Sequence, residues 1–219
     1  MIPKPYKGLA MEGLVAAWYA KNTRADMEDY RSLAAMIASK VRPGSRILEV
    51  APGPGYTAVE LARLGRYEVT GVDISSTFVE IARSNAKKAG VSVELRQGDA
   101  ASMPFADNQF DFVVCRAAFK NFTQPQCALL DMHRVLRSGG TALIIDLRPD
   151  VSPQAIDDFN LTAHRVGIPA LFMKWTFLHF LARNAHSKGE LEEMISRTGF
   201  SRHRIDEDSM GYQVWLWKD

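Results

Sequence analysis

The chain has 219 residues, of which 47% are hydrophobic and 24% are charged, which is ordinary for a globular domain. Its 27 Lys and Arg residues against 25 Asp and Glu leave a net charge of only +2, too little for a dedicated nucleic-acid binder. Two cysteines exclude a disulfide framework, and without a Cys/His ligand cluster they also disfavour structural zinc.

The first 43 residues predict a helical cap. Residues 9–20 and 27–41 both carry apolar side chains at helical spacing. Asn22 and Thr23 separate the two helices, and Asp26 could be the N-cap of the second. Pro43 and Gly44 are expected to end it.

From residue 44 onward, short apolar runs alternate with helical patterns. The predicted strands cover residues 46–51, 67–74, 91–99, 110–117 and 141–147. The predicted helices cover residues 56–65, 76–89 and 125–140, the second capped by Ser75 or Ser76 and closed by Gly90. Such alternation predicts an α/β fold, a doubly wound, Rossmann-like and mostly parallel sheet with helices on both faces.

Residues 150–186 break this alternation and predict a helical lid, with helical patterns at 153–166 and 170–184. The second pattern is rich in aromatic side chains: Phe172, Trp175, Phe177 and Phe180. Such a stripe is more often core than binding surface. Because it is apolar on more than one side, however, it must cover a substrate, a partner subunit or a membrane surface.

The C-terminal region, residues 187–219, predicts a helix capped by Ser187 and then a hairpin that turns at residues 209–211. This hairpin would bring the sheet to seven strands, with an antiparallel C-terminal strand. We therefore expect a single domain over residues 1–219, with a cap at 1–43, a core at 44–147, a lid at 150–186 and this C-terminal region.

The best chemical signal is a loop rich in glycine and proline, EVAPGPGY, which joins the first strand to the next helix at residues 49–56. Ligands of open α/β sheets bind beyond the carboxyl ends of the strands, where glycines let the backbone approach them closely. Asp73 ends the following strand, where an acid can bind both hydroxyls of a ribose. Together these features indicate an adenosine-containing cofactor.

The same loop also fits the degenerate dinucleotide pattern GxGxxG/A, so an NAD(P)-linked oxidoreductase is an alternative. Pro52 and Pro54 lack the N–H groups that a pyrophosphate requires. Glu49 would repel phosphates and would suit a cationic amino-acid group. These residues favour a cofactor without phosphates.

Four motifs in order, ILEVAPGPGY, VTGVDIS, RQGDAASMPFADNQFDFVVC and HRVLRSGGTALIID, resemble the class I S-adenosylmethionine (SAM)-dependent methyltransferases over about residues 44–147. The segment Lys120-Asn121-Phe122 resembles the Arg-Asn-Val of the branch with ubiquinone/menaquinone C-methyltransferases. Ala51 departs from the family, which has its first glycine there. We expect binding to survive this change provided that φ at Ala51 is negative.

The resemblance implies a cofactor site built from the cap and the strand ends. Its implied members are Tyr19, Glu49, Ala51, Gly53, Gly55, Tyr56, Asp73, Ile74, Gly98, Asp99, Ala100 and Arg116. Glu49 and the glycine loop would face the methionine part, and Asp73 would hold the ribose. Ile74, Asp99 and Ala100 would contact the adenine, and Tyr19 would close over the cofactor.

The catalytic candidates are Arg116, Lys120, Asn121 and His164, because no His–Asp pair or carboxylate pair is evident. A cation such as Arg116 or Lys120 could stabilise a phenolate or enolate. Each candidate has an ordinary alternative: Arg116 as a surface ion pair, Lys120 and Asn121 as loop residues, and His164 as a packed or solvated side chain. Asp99 could likewise only cap the segment that follows it.

The expected function is SAM-dependent methylation of a small, partly apolar molecule, with S-adenosylhomocysteine as product. A SAM-binding protein without methyl transfer and the NAD(P)-linked enzyme are the alternatives. We expect no metal, no nucleic-acid partner and no integral membrane segment, and we leave a homodimer open. The N-terminus lacks the apolar core of a signal peptide, so a cytoplasmic location is expected.

Overall fold

The computed structural model describes residues 7, 11–162, 167, 171, 174–177 and 181–219. Its strands are β1 (Arg46–Val50), β2 (Glu68–Asp73), β3 (Glu94–Gln97), β4 (Phe110–Arg116), β5 (Leu136–Leu147), β6 (Arg202–Glu207) and β7 (Gly211–Trp217). Its helices are α1 (Gly13–Thr23), α2 (Met27–Ala38), α3 (Tyr56–Arg63), α4 (Ser76–Ala89), α5 (Pro125–Val135), α6 (Pro153–Thr162) and α7 (Lys188–Ser196). Short 3-10 turns lie at Arg24–Asp26, Phe119–Asn121 and Ala182–Asn184.

The strands form one sheet in the order β3-β2-β1-β4-β5-β7-β6. Strands β1 to β5 pair in parallel, and β7 runs antiparallel between β5 and β6. The chain builds outward from β1 to β3 and then returns to place β4 on the other side of β1. The carboxyl ends of β1 and β4 therefore flank the crevice where such sheets bind ligands, and the predicted fold class is confirmed.

Both faces of the sheet are covered by helices, as expected. Neighbouring residues of one strand point to opposite faces, so Leu48 packs with Leu129 of α5 while Ile47 packs with Ile37 of α2. Strand β4 alternates in the same way. The resulting two-sided core holds the strand ends rigidly in place beneath the crevice.

The caps of two helices were predicted correctly. The Ser75 hydroxyl accepts the Phe78 N–H at the start of α4, and Gly90 ends that helix in the left-handed region at φ 69°. Ser187 and Glu190 form a reciprocal capping box at the start of α7. Local side-chain chemistry therefore sets these helix boundaries.

Several predicted boundaries were wrong; α1, for example, extends through Asn22 and Thr23, which were expected to separate the first two helices. Helix α5 ends at Val135 rather than at residue 140, because Leu136 is already extended and begins β5. The Lys218 ammonium group, directly after β7, donates hydrogen bonds to the carbonyls of His133 and Leu136. It thereby satisfies carbonyl groups at the end of this helix. Helix α2 likewise ends at Ala38 rather than at residue 41, and β3 is shorter than predicted.

The described part of the lid packs at the carboxyl end of β5. Buried Val151, Ile156 and Phe177 form a small cluster against Leu147 and Met210. Phe177 is thus lid core, whereas the Trp175 side chain is 50% exposed. Phe172, Phe180 and His164 lie outside the described residues.

Two glycines of similar backbone conformation provide a test of the packing between α3 and α4. Gly55 (φ 76°) precedes α3, and a Cβ there would lie 2.7 Å from the Ala82 Cβ, whereas Gly90 (φ 69°) faces open space. We expect Gly90→Ala to cost about 1 kcal/mol from its backbone alone. Gly55→Ala should cost about 2–4 kcal/mol, because overpacking adds to the same backbone penalty. Urea unfolding of both variants measures the difference, and equal losses would contradict the close approach of α3 and α4.

Candidate active site

The loop after β1 turns sharply through three left-handed residues. Ala51, Gly53 and Gly55 have φ of 55°, 53° and 76°. The condition set for Ala51, a negative φ, is not met: the residue lies in the left-handed region that glycine adopts most readily. An alanine in this region is disfavoured by about 1–2 kcal/mol.

The N–H groups of this loop are used within the protein. Ala51 donates to the Val72 carbonyl at 2.8 Å, and Gly55 donates to the Pro52 carbonyl at 2.9 Å. Gly53 donates to Asp73 Oδ2 at 2.9 Å, while Pro52 and Pro54 have no N–H. Across residues 51–55 no N–H is left for a pyrophosphate, in line with the argument from the prolines.

Glu49 lies on β1 and is 3% exposed. Burial raises its pKa from 4.5 to about 7, although Thr57 and the Ala58 N–H in the first turn of α3 act in the opposite direction. Its Oε2 atom is buried without a partner. An unpartnered buried carboxyl oxygen is costly unless a ligand supplies the missing donor.

Asp73, at the carboxyl end of the neighbouring strand, is 5% exposed. Its Oδ2 accepts the Gly53 N–H and its Oδ1 accepts the Ser75 N–H, each at 2.9 Å. Burial raises its pKa to about 6, although these two hydrogen bonds act in the opposite direction. A carboxylate oxygen can accept more than one hydrogen bond, so Asp73 can still receive a pair of hydroxyl donors.

The cap is fastened beside these two carboxyl groups. The Tyr56 hydroxyl donates to the Ala20 carbonyl of α1 at 2.7 Å, and Tyr19 packs edge-on against Phe78 of α4 at 5.8 Å. The Glu12 carboxylate accepts the N–H groups of Ser76 and Thr77 at the start of α4. Tyr19 therefore lies over the Asp73 end of the crevice, where burial raises its pKa to about 12.

Arg116 is the last residue of β4. Its guanidinium carbon lies 4.5 Å from the centre of the Tyr30 ring, and its Nη2 lies 4.0 Å from Asp29 Oδ2. Its charge also acts to lower the pKa of Glu49. The surface ion pair considered as an alternative is thus present, but the side chain also faces the crevice.

The backbone just after the carboxyl end of β3 is closely packed. A Cβ on Gly98 would lie 2.8 Å from Pro104 Cδ, and Ile74 accepts a hydrogen bond from the Gln97 side chain at 3.1 Å. Asp99 Oδ1 accepts the Ala101 N–H at 2.9 Å, so this residue does cap the following segment. Ala100 packs against the core.

The remaining catalytic candidates are Lys120, Asn121 and His164. The Lys120 side chain is 4% exposed and donates to Asp146 Oδ1 at 2.7 Å, so it is neither an open loop residue nor free to reach a ligand. Asn121 accepts the Lys7 N–H through its carbonyl, and His164 lies outside the described residues. Within the described ranges, no group of three or more His, Cys, Asp or Glu residues could hold a metal ion.

Three contributors were missed from the sequence. Tyr30 supports Arg116, Thr57 acts to lower the pKa of Glu49, and Glu12 fastens the cap. Only Tyr30 had a usable signal, because it lies on the apolar side of a helix in the predicted cap. The other two depend on contacts between elements that the sequence alone does not bring together.

Comparisons with known proteins agree with this architecture. Residues 48–144 match the model of a methyltransferase domain family. The uncharacterized methyltransferase YcgJ of Bacillus subtilis is 33% identical over 133 residues, which cover 60% of this chain and 52% of that protein. The chain therefore spans about half the length of that relative.

Two further matches cover a larger share of both chains. The ubiquinone/menaquinone biosynthesis C-methyltransferase UbiE of Nitrosospira multiformis is 31% identical over 175 residues, 77% of this chain and 72% of that protein. A Methanococcus maripaludis structure assigned to the S-adenosyl-L-methionine-dependent methyltransferases has a TM-score of 0.77 at 18% identity, covering 97% of this chain and 95% of that one.

The strand order and the acidic residues on β1 and β2 are those of class I methyltransferases. The identity to the Nitrosospira multiformis protein over most of both chains then assigns the family. The chain belongs to the SAM-dependent methyltransferase family that contains these C-methyltransferases.

Ala51 provides a stability test. We expect Ala51→Gly to stabilise the protein by about 1 kcal/mol, because glycine adopts a positive φ without a Cβ penalty. Ala62→Gly, in helix α3, is the matched control and should destabilise by about 1 kcal/mol. Chemical denaturation measures both, and a loss of stability in Ala51→Gly would contradict the left-handed conformation.

Glu49 makes stability depend on pH. Because its pKa rises from 4.5 to about 7 on folding, the folded protein holds a proton that the unfolded chain releases at lower pH. The unliganded protein should therefore lose stability as pH rises through this window. Glu49→Gln removes this effect, so its advantage over the wild type should grow from near zero at low pH to roughly 3 kcal/mol at alkaline pH. Thermal unfolding across pH measures this, and a constant difference would contradict it.

Proposed function

We propose that this protein is a SAM-dependent methyltransferase that acts on a small, partly apolar molecule. The observation that carries the proposal is the buried Glu49 carboxyl group, which leaves Oε2 without a partner. It lies on β1, next to the strand that Asp73 ends. The methionine part of SAM carries an ammonium group that would supply the missing donor.

The other crevice residues fit the rest of this cofactor. Asp73 would accept the two ribose hydroxyls, and Arg116 would face the carboxylate while Glu49 binds the ammonium. Ile74, Gly98, Asp99 and Ala100 lie at the ends of β2 and β3, where the adenine would lie. Tyr19 would cover it from the cap, while Tyr56, Gly53 and Gly55 act by shaping the loop and fastening α1.

The same geometry disfavours a dinucleotide. In dinucleotide enzymes the pyrophosphate binds the N-terminus of the helix after the glycine loop. Here the Ala51, Gly53 and Gly55 N–H groups are already used within the protein, and the first turn of that helix lies beside the Glu49 carboxyl group. A pyrophosphate would meet an acidic group and would find few free donors.

When bound, SAM supplies a methyl group activated by its sulfonium charge. The protein would orient the methyl donor and the acceptor and exclude water from them. Alignment of the reacting atoms at about 3–3.5 Å provides much of the acceleration in such transfers. Glu49, Asp73 and Arg116 would fix the cofactor, and the cap and lid would exclude water. Asn121 and His164 stay predictions for the acceptor side.

For the acceptor we propose a phenol or quinol with an apolar substituent. The lid cluster around Phe177 is apolar, and the Nitrosospira multiformis relative is named for ubiquinone and menaquinone biosynthesis. Residues 1–43 would then act as the cap and 150–186 as the lid of one domain. No helix among the described residues is long and apolar enough to cross a membrane. A homodimer and a cytoplasmic location stay predictions.

Ligand binding tests the proposal directly. S-adenosylhomocysteine at about 100 times its dissociation constant should stabilise the wild type by about 2.7 kcal/mol, and NADH should not. Glu49→Gln should weaken that binding by roughly 10–100-fold, because a charge-assisted hydrogen bond is lost. Glu60→Gln is the control, since Glu60 is a buried acid of the neighbouring helix α3 that pairs with Arg31 and Arg63.

Transfer of labelled methyl from SAM to a panel of phenols and quinols completes the test. Methylated product supports the enzyme. Binding of S-adenosylhomocysteine without product across the panel would favour a SAM-binding protein, and stabilisation by NADH alone would overturn the proposal.

A further inference from the structure

The backbone reverses at Ala117, directly after Arg116. Ala117 has φ 57°, the left-handed region that residues with a Cβ rarely adopt. Its N–H donates to the Ile145 carbonyl at 2.7 Å, which continues the ladder between β4 and β5. Its carbonyl accepts a hydrogen bond from Lys120 Nζ at 2.6 Å. The peptide units on both sides of Ala117 are thus held in place.

Lys120 is in turn fixed by Asp146 near the carboxyl end of β5. Lys120 Nζ donates to Asp146 Oδ1 at 2.7 Å, and the Lys120 N–H donates to Asp146 Oδ2 at 2.8 Å. The Leu147 N–H also donates to Oδ1. The two side chains are only 4% and 10% exposed. One buried ion pair therefore links β5, the 3-10 turn at 119–121 and the Ala117 carbonyl.

We propose that Lys120 is a positioning residue: together with Asp146 it holds the left-handed turn at Ala117 and so sets the direction in which Arg116 enters the crevice. A lysine that acts as a base needs a free amine lone pair, whereas this group donates to a carboxylate and to a carbonyl. Strain of this kind persists only where surrounding contacts enforce it.

The turn at Ala117 affects ligand binding because it sets the position of Arg116. That side chain leaves the backbone one residue before the turn and stacks on Tyr30 at 4.5 Å. If the peptide at Ala117 relaxed to a negative φ, the end of β4 would rotate and move the guanidinium group. This step rests on the proposed function, in which Arg116 faces the carboxylate of the cofactor.

Two ligands separate this role from a general loss of structure. S-adenosylhomocysteine carries the carboxylate, whereas 5′-methylthioadenosine has the same nucleoside without the amino-acid group. We expect Lys120→Met to weaken binding of the first by about tenfold, the factor that corresponds to about 1.4 kcal/mol, and of the second by less than about twofold. Lys188→Met is the control, because Lys188 makes an exposed ion pair with Glu207 and should leave both ligands unaffected.

The decisive measurement is the S-adenosylhomocysteine affinity of the double variant Lys120→Met/Ala117→Gly. Glycine adopts the left-handed conformation without support, so it should return S-adenosylhomocysteine affinity to within about threefold of the wild type. If Lys120→Met does not fold, Lys120→Met/Asp146→Asn removes both buried charges and should show the same selective loss, measured by calorimetry.

The outcomes are distinguishable. Equal loss of both ligands, no loss of either, or no recovery with glycine at position 117 would overturn the role of Lys120 alone. Failure of the wild type to bind S-adenosylhomocysteine would instead overturn the proposed function and, with it, the consequence assigned to Arg116.

Discussion

The hydrogen bond from the Gly53 N–H to Asp73 Oδ2 is the contact on which the crevice depends. It ties the loop after β1 to the end of β2, in a loop where three alternate residues, Ala51, Gly53 and Gly55, have positive φ. The same loop geometry sets the start of α3, whose first turn acts to lower the pKa of the Glu49 carboxyl group. Two acidic side chains and one helix N-terminus are therefore oriented by a single backbone path.

Two of the three non-glycine residues with positive φ among the described residues lie at the strand ends that flank the crevice. Ala51 follows β1 and Ala117 follows β4, and both are non-glycine residues with positive φ. The surrounding packing enforces both, through the Ala51 N–H to Val72 and the Lys120 ammonium on Ala117. Local strain that the rest of the fold maintains is typical of functional sites, where it orients groups before a ligand arrives.

Much of the fold could be predicted from the sequence because its signals are local. Alternating apolar runs predicted the strands, Ser75 and Ser187 marked helix starts, and the glycine loop located the crevice. The errors arise where distant contacts decide. Lys218 ends α5 early, the loop path forces Ala51 to a positive φ, and Asp146 withdraws Lys120 from the crevice. Periodicity and motif spacing contain no information about such partners.

Glu49 illustrates why a binding site of this kind is not optimised for stability. In the unliganded protein its burial raises the pKa to about 7 and leaves Oε2 without a donor. Both features are unfavourable near neutral pH, since a buried carboxylate without full hydrogen bonding costs free energy. A cationic ligand would reverse both at once, because an ammonium group supplies donors and charge. In the proposed site, binding would therefore regain this free energy and would favour a ligand that carries a cation at that point over a phosphate.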